Sequence, residues 1–510
     1  MAWYHSIPLI GRFLPGGTEP LDGRTASIYA DSPTPAPVYS GVEIIEKRTR
    51  SSKVHSLGEN RYSVDAVIGS LHYKDDISNP AEQWKDIDNT LVDSVAPWDW
   101  EMTKAGYHAR FLGDFTAGQI VEFEKQGEYV RFQPMALQWS NDLDQIQPIG
   151  MPATPSSVYT IDDRIVWLDA YGEGKDFAWK CNPSRLVKLL IIDQLNRLPT
   201  PEQYIMDGGN PVLELNLIFD PSRDLDCYVD GQLWDKKSKV STFGICEWKL
   251  DGETLFGFMP NLYWDNEENY PEQPALTTLK KVGGSLYVTV RIPYSWLQTA
   301  VFPVYIDVIV DEQVAAGADD GGDTTSGGGA FDNNDATDDV GTWYGAEYRQ
   351  FWRWDGITIE GTIDTSYVQV KISNAGSQPL PTKVYGIDEA DSDAPSDHAT
   401  FLTDCGLHTT AGVDWDIDGE SAGTWIQSPS LNTIFQELVD THTISNAAVQ
   451  LHWHDDGGTN KYLYIYMYET AGNVSGPKLH IEYTAGGGGG LSIPIAMGHY
   501  RMLRSQNEDG

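Results

Sequence analysis

The stretch KYLYIYMYET, residues 461–470, places a tyrosine at every second position: Tyr462, Tyr464, Tyr466 and Tyr468, separated by Leu463, Ile465 and Met467. Successive side chains of a strand point to opposite faces, so the pattern predicts a strand with aliphatics on one side and four phenols on the other. Just upstream, VQLHWHDDGGTN (449–460) alternates Val449, Leu451 and Trp453 with Gln450, His452 and His454. The turn-rich DDGGTN between the two runs predicts a hairpin. Matching the apolar faces sets its register: His454 opposite Tyr462, His452 opposite Tyr464 and Gln450 opposite Tyr466. A slip by one residue would mix the two faces.

The outer face of this hairpin then gathers Gln450, His452, His454, Tyr462, Tyr464, Tyr466 and Tyr468. These side chains combine flat π surface with hydrogen-bonding groups. That chemistry suits stacking on a sugar ring, and it equally suits a protein–protein interface. Cover by a neighbouring segment, or a ladder of cross-strand aromatic pairs, would account for the same residues.

Similar alternation extends through 341–484, where Val368, Val370 and Ile372 oppose Tyr367, Gln369 and Lys371, and Leu479, Ile481 and Tyr483 oppose Lys478, His480 and Glu482. This is the pattern of an antiparallel sandwich with one face of each sheet buried. One helix is expected within it: SLNTIFQELVD puts Leu431, Ile434, Phe435, Leu438 and Val439 on one stripe after Ser430, a suitable N-cap. The aromatic cluster TWYGAEYRQFWRWDG (342–356) offers a sugar platform or core packing; Trp352 and Trp354 alternate with Phe351 and Arg353, which places at least one indole in the core. Upstream, residues 41–310 read as short β runs between turn clusters, with SRLVKLLIIDQLNRLP (184–199) suiting a buried strand or a short helix. The fold class is therefore all-β: sandwich regions followed by a C-terminal antiparallel jelly roll with one short helix.

Three segments stand outside these units. Residues 1–40 are Pro/Gly-rich and read as an arm. Residues 311–340 carry nine acidic and no basic side chains among Gly, Ser and Thr, which reads as an interdomain linker. Asp332, Asp335, Asp338 and Asp339 within it can also supply oxygen ligands to Ca²⁺. Five glycines from 486 to 490 tether a tail, 485–510, whose first part is apolar and reads as a docking peptide for another subunit or as a disordered terminus.

Length and charge bound the function. At 510 residues the chain exceeds one hydrophobic core. Its 74 acidic against 35 basic side chains, a formal charge of −39, disfavour nucleic acid, whose affinity comes from Lys and Arg releasing counterions. Cys181, Cys227, Cys246 and Cys405 include no CxxC pair, so metal-thiolate and thioredoxin chemistry are not expected. The opening MAWYHSIPLIGRFLPGG does not read as a secretory signal, and no apolar run approaches a membrane span. An outward-facing β protein without an export signal fits a virus particle assembled in the host cytosol.

Catalytic signatures are absent from the sequence: there is no GxSxG elbow, HExxH helix or phosphate-binding glycine loop, and no enzymatic activity is expected. His452 and His454 share a strand face, so a metal could bridge them if a carboxylate joined from elsewhere, but no third ligand is identifiable.

The run from AEYRQFWRWDGITIEGTIDTSYVQVKISNAG to GPKLHIEYTA resembles the jelly-roll modules of the DNRLRE type, related to carbohydrate-binding modules, over roughly 340–484. Upstream, LHYKDDISNPAEQWKDIDNTLV and WLQTAVFPVYIDVIVDE are similar to the β-rich amino-terminal region of Rhs-type and wall-associated surface proteins, with Val308 where a proline usually stands. The resemblance implies a structural component of a bacteriophage virion, a decoration, fibre or tail-associated protein, displaying a carbohydrate-binding-like jelly roll. Its expected partners are other virion proteins through the arm or tail, a cell-surface glycan, and further copies of the chain. A secreted bacterial carbohydrate-binding or adhesive protein, and a polysaccharide-degrading enzyme, are the alternatives.

Overall fold

A computed structural model describes residues 41–206, 208–266, 273–311, 318–325, 329–333, 337–468 and 475–486. The arm at 1–40 and the tail beyond residue 486 lie outside the described residues. The chain is all-β and antiparallel, as expected.

The first sandwich packs two sheets face to face. In one, Glu128–Ser140 pairs with Val212–Pro221 (Phe132 opposite Phe219), which pairs in turn with Ser285–Pro293. In the other, Lys175–Cys181, Arg185–Ile192 and Val304–Asp311 lie side by side (Leu190 opposite Ile306). In the ambiguous segment at 184–199, Arg185–Ile192 is thus a strand between two others, followed by a 3-10 turn at Leu195–Arg197. Aromatic rings fill the interlayer: Phe132 lies 5.3 Å from Trp179, and Phe219 4.8 Å from Trp248. Along Glu128–Ser140 the inward-facing buried set is Val130, Phe132 and Pro134, then Leu137 and Trp139. A bulge between Pro134 and Leu137 inserts the extra residue that changes parity while keeping the same face inward.

The second sandwich is larger than expected. Arg61–Val67 pairs with Lys478–Thr484 (Val64 opposite Ile481), so the first described strands belong to the C-terminal jelly roll and not to the region they precede. Lys478–Thr484 pairs onward with Thr362–Ser377 (Val368 opposite Leu479). In the facing layer, Ala346–Ile359, Ile444–Asp455, Thr382–Ile387 and His408–Asp414 run in that order. Between the layers Trp352, Trp354 and Trp453 are all fully buried, each of the kind worth about 1.5–3 kcal/mol. The helix Asn432–Thr441 adds Ile434, Phe435 and Leu438 to this core; its N-cap is Leu431, one residue beyond Ser430, whose Oγ accepts from the Asn432 N–H at 3.4 Å.

The acidic segment 311–340 is not a linker in its described part. Asp320–Thr324 pairs with Ala346–Ile359, and Thr337–Trp343 pairs with Lys461–Tyr466. Its carboxylates find partners supplied by distant sequence. Asp323, fully buried, binds Arg349 and His398, and Asp319 binds Arg353 at 2.6 Å. A second helix, His398–Cys405, is also present in the jelly roll. It begins with a capping box in which the Asp397 carboxylate accepts from the Thr400 N–H and the Thr400 hydroxyl accepts from the Asp397 N–H. No helix of the described residues is long and apolar enough to cross a membrane.

Candidate functional site

Each of the two strands that carry the expected patch shows the alternation predicted for it. Val449, Leu451 and Trp453, and Leu463, Ile465 and Met467, are all buried in the jelly-roll core. They are not a hairpin pair. Ile444–Asp455 lies between Ala346–Ile359 and Thr382–Ile387, whereas Lys461–Tyr466 lies between Thr337–Trp343 and Thr362–Ser377. His452 therefore sits opposite Phe351 and Tyr385, His454 opposite Lys383, and Gln450 opposite Arg353. Matching apolar faces constrains which side a strand turns inward, and it is satisfied by any neighbour with the same pattern.

The patch consequently divides into three environments. Tyr468 follows the end of its strand and is fully buried where the two sandwiches meet: its hydroxyl shares a 2.7 Å hydrogen bond with Ser184 Oγ, and its ring lies 4.2 Å from the Arg185 guanidinium. Arg185 is itself held by Asp311 at 2.6 Å, and the Tyr468 N–H donates to Asp320 Oδ2 at 2.9 Å.

Tyr462, Tyr464 and Tyr466 remain half-buried on an outward face. Tyr462 stacks on Trp343 at 4.6 Å, Trp343 stacks on Tyr344 at 4.9 Å, and Tyr464 meets Tyr462 edge-on at 5.8 Å. Lys371 Nζ lies 5.3 Å from the Tyr466 ring centre. Tyr344 and Gly345 form the two-residue turn between Trp343 and Ala346, both with positive φ (48° and 79°), the geometry of a tight hairpin turn that favours Asn-Gly. Tyr344 is 85% exposed. Of the aromatic cluster 342–356, Trp352 and Trp354 are core residues, while Trp343 and Tyr344 reach the surface.

Gln450, His452 and His454 are covered by the helix His398–Cys405. Phe401 stacks flat on His452 at 4.5 Å, and Tyr385 stacks on His408 at 4.6 Å. Under this roof Cys405, His408, His452 and His454 converge, with one ligand atom of each within 4.8 Å of all the others. His452 Nδ1 is 3.1 Å from His408 Nε2 and 3.8 Å from Cys405 Sγ, while its Nε2 is 2.9 Å from Gln450 Nε2. Burial holds the imidazoles neutral: His408 is lowered to about 4, His454 to about 3, and His452 well below its ordinary range, with nearby Arg349 adding to each. Burial also pushes the Cys405 thiol up to about 11. The expected third partner, a carboxylate, is not what joins the two histidines. Cys405 at the end of the helix and His408 at the start of the next strand do, in a Cys-x2-His spacing.

Of the aspartates considered for Ca²⁺, Asp332 ends the strand Ala330–Asp332, Asp338 and Asp339 lie on Thr337–Trp343, and Asp335 lies outside the described residues. Among the described residues, they belong to no group of three or more side chains placed to share one ion.

No protein-family model matches the chain. No curated protein matches it in sequence. Among solved structures, an exo-beta-1,3-galactanase from Phanerochaete chrysosporium is 10% identical, with 82% of this chain and 100% of that one covered at a TM-score of 0.14. A Paenibacillus xanthan lyase is 10% identical, covering 89% of this chain and 39% of that one at a TM-score of 0.15.

Proposed function

We propose that this chain is a non-enzymatic structural component of a bacteriophage virion whose jelly roll is displayed for adhesion, with the aromatic face around Tyr344, Trp343 and Tyr462 as its contact with a surface glycan. Other virion proteins would be met through the segments 1–40 and 485–510, and further copies of the chain would assemble with it. The observation that supports adhesion is Tyr344. A left-handed backbone costs a side chain with a Cβ roughly 1–2 kcal/mol, and Asn or Gly would relieve it. Here the position carries a large aromatic that is 85% exposed and leads a run of stacked rings. Folding gains little from such a residue, whereas flat, rigid rings with polar edges bind sugar faces at small entropic cost. The virion assignment draws its support from the resemblance of the two β regions to surface and particle modules, and from a charge of −39 that keeps a densely arrayed protein from associating nonspecifically.

The test is a Tyr344→Asn variant on a glycan array and in cell-surface binding. Stability should be unchanged or higher by about 0.5–1 kcal/mol, since Asn tolerates this backbone, while binding falls at least tenfold. Undiminished binding would remove this face as the contact. Proteomics of density-purified phage particles should recover the chain; recovery from a bacterial envelope instead would move the reading to a secreted adhesin.

A further inference from the structure

Two pairs of side chains far apart in sequence meet beneath the helix His398–Cys405. Cys405 closes that helix and His408 opens the next strand, so the intervening Gly406-Leu407 turn brings both to one side. His452 and His454 stand two apart on Ile444–Asp455 and share its covered face. In a tetrahedral site with metal–nitrogen bonds of about 2.0–2.1 Å and a metal–sulfur bond of about 2.3 Å, neighbouring ligand atoms stand roughly 3.3–3.6 Å apart. The distances from His452 Nδ1, 3.1 Å to His408 Nε2 and 3.8 Å to Cys405 Sγ, bracket that spacing.

Hydrogen bonding alone leaves this cluster incomplete. His454 Nε2 is buried and has no hydrogen-bond partner, on a side chain only 12% exposed. Its Nδ1 faces Glu347 Oε1 at 3.7 Å, the side on which a carboxylate orients a ligating imidazole. On His452 Nδ1 faces the centre, and it ligates once the Gln450 amide, whose Nε2 lies 2.9 Å from His452 Nε2, turns so that Oε1, buried without a partner, accepts the Nε2 proton. The flat stacking of Phe401 on His452 and of Tyr385 on His408 fixes two of the rings at the angles they hold. An uncompensated buried nitrogen and three converging imidazoles are a poor core and a good ligand set.

We propose that Cys405, His408, His452 and His454 bind one divalent transition-metal ion of the zinc class in a tetrahedral site that fastens the helix His398–Cys405 to the sheet. One sulfur and three imidazole nitrogens select a borderline-soft ion, and the absence of oxygen donors among the four disfavours Ca²⁺ and Mg²⁺. Four protein ligands fill the coordination sphere, so the ion is structural and no position is open for substrate. Binding displaces the thiol proton, and the metal-bound thiolate is the form that the buried free thiol resists. The site is independent of the glycan reading, since the aromatic face lies on other strands.

The experiment uses the full chain, stripped with chelator and titrated with Co²⁺ alone, then with Zn²⁺. We expect one Co²⁺ per chain, with the intense visible bands of a tetrahedral ion and a near-ultraviolet thiolate-to-cobalt band, both displaced by one equivalent of Zn²⁺. Cys405→Ser should abolish the thiolate band and weaken binding at least 100-fold, and His408→Ala should weaken it comparably while the circular dichroism of the β fold is retained. Because a His452 change at a fully buried position can prevent folding, these two less buried positions carry the test. Failure of the unaltered chain to bind a stoichiometric ion would overturn the proposal. So would binding that Cys405→Ser leaves intact, or a bound cobalt without a thiolate band.

Discussion

The strands Ile444–Asp455 and Lys461–Tyr466 carry the same alternation, aliphatic on one side and polar-aromatic on the other, and they face opposite circumstances. The outer side of the first is roofed by a helix, which turns Gln450 and His452 into fully buried groups. That of the second is left half open, with Trp343 and the exposed Tyr344 beside it. Alternation therefore fixes which side chains travel together, while the cover supplied by another segment decides whether they form a buried cluster or a surface. A polar face under a roof must find partners within the fold; one in the open can wait for a partner from outside.

The largest effect separating the two faces should come from the roof itself. Phe401 is fully buried against His452 and Phe351, so Phe401→Ala should cost about 3–5 kcal/mol in chelator-treated protein. Tyr462→Ala on the half-open face should cost about 1 kcal/mol. Urea denaturation of the two variants measures both, and equal losses would erase the distinction between a covered and an open face.

That distinction explains what could be read from the sequence and what could not. The inward sets at 449–453 and 463–467, the indoles of Trp352 and Trp354, and the stripe Ile434, Phe435 and Leu438 were all legible, because periodicity is a local property. The neighbours of those strands were not, since any strand with an apolar side satisfies the same match. The roof helix left little trace, as it is eight residues long and buries only Phe401. Its capping box, Asp397 to Thr400, was the available signal. The segment 311–340 looked like a linker because its carboxylates stand alone in sequence; Arg349 and Arg353 neutralise them, and His398 meets Asp323, only once the chain has folded. Likewise Cys405 and His408 join His452 and His454 through the end of a helix, a closure that spacing within either pair does not announce.

A covered polar group that lacks a hydrogen-bond partner should behave differently from the histidine cluster, and Lys188 in the first sandwich is such a group. It is fully buried with no hydrogen-bond partner for Nζ, and burial lowers it to about 7 despite nearby Asp307. At neutral pH the unfolded chain holds this proton far more tightly than the folded one, so the lysine opposes folding. Lys188→Met should stabilise the protein by about 1–4 kcal/mol at pH 7. The advantage should shrink by up to about 1.4 kcal/mol per pH unit above pH 7, where the folded lysine is neutral and the unfolded one still protonated, and be gone by roughly pH 10.5. Denaturant midpoints of both proteins across that range check the sign; a constant gap would mean that Lys188 stays charged when folded.

The smallest effect lies on the open face, at Tyr464, which has Asp339 and Asp338 nearby. Partial burial, then Asp339 directly across the ladder and the Tyr462 ring beside it, hold its phenol protonated above the usual range. Below about pH 10 folded and unfolded chains both keep the proton and the shift is silent. Above that pH the unfolded phenol ionises first, so stability falls as pH rises through the unfolded value toward the folded one. Tyr464→Phe keeps the ring and removes the proton, and should lose less stability than the parent between pH 9 and 11. The difference should stay below about 1 kcal/mol, because solvent reaches the face and screens it. Paired thermal melts at the two pH values read it directly. A parent that tracks Tyr464→Phe throughout would show the phenol to be as free as one in water, and Asp339 to be too well solvated to act on it.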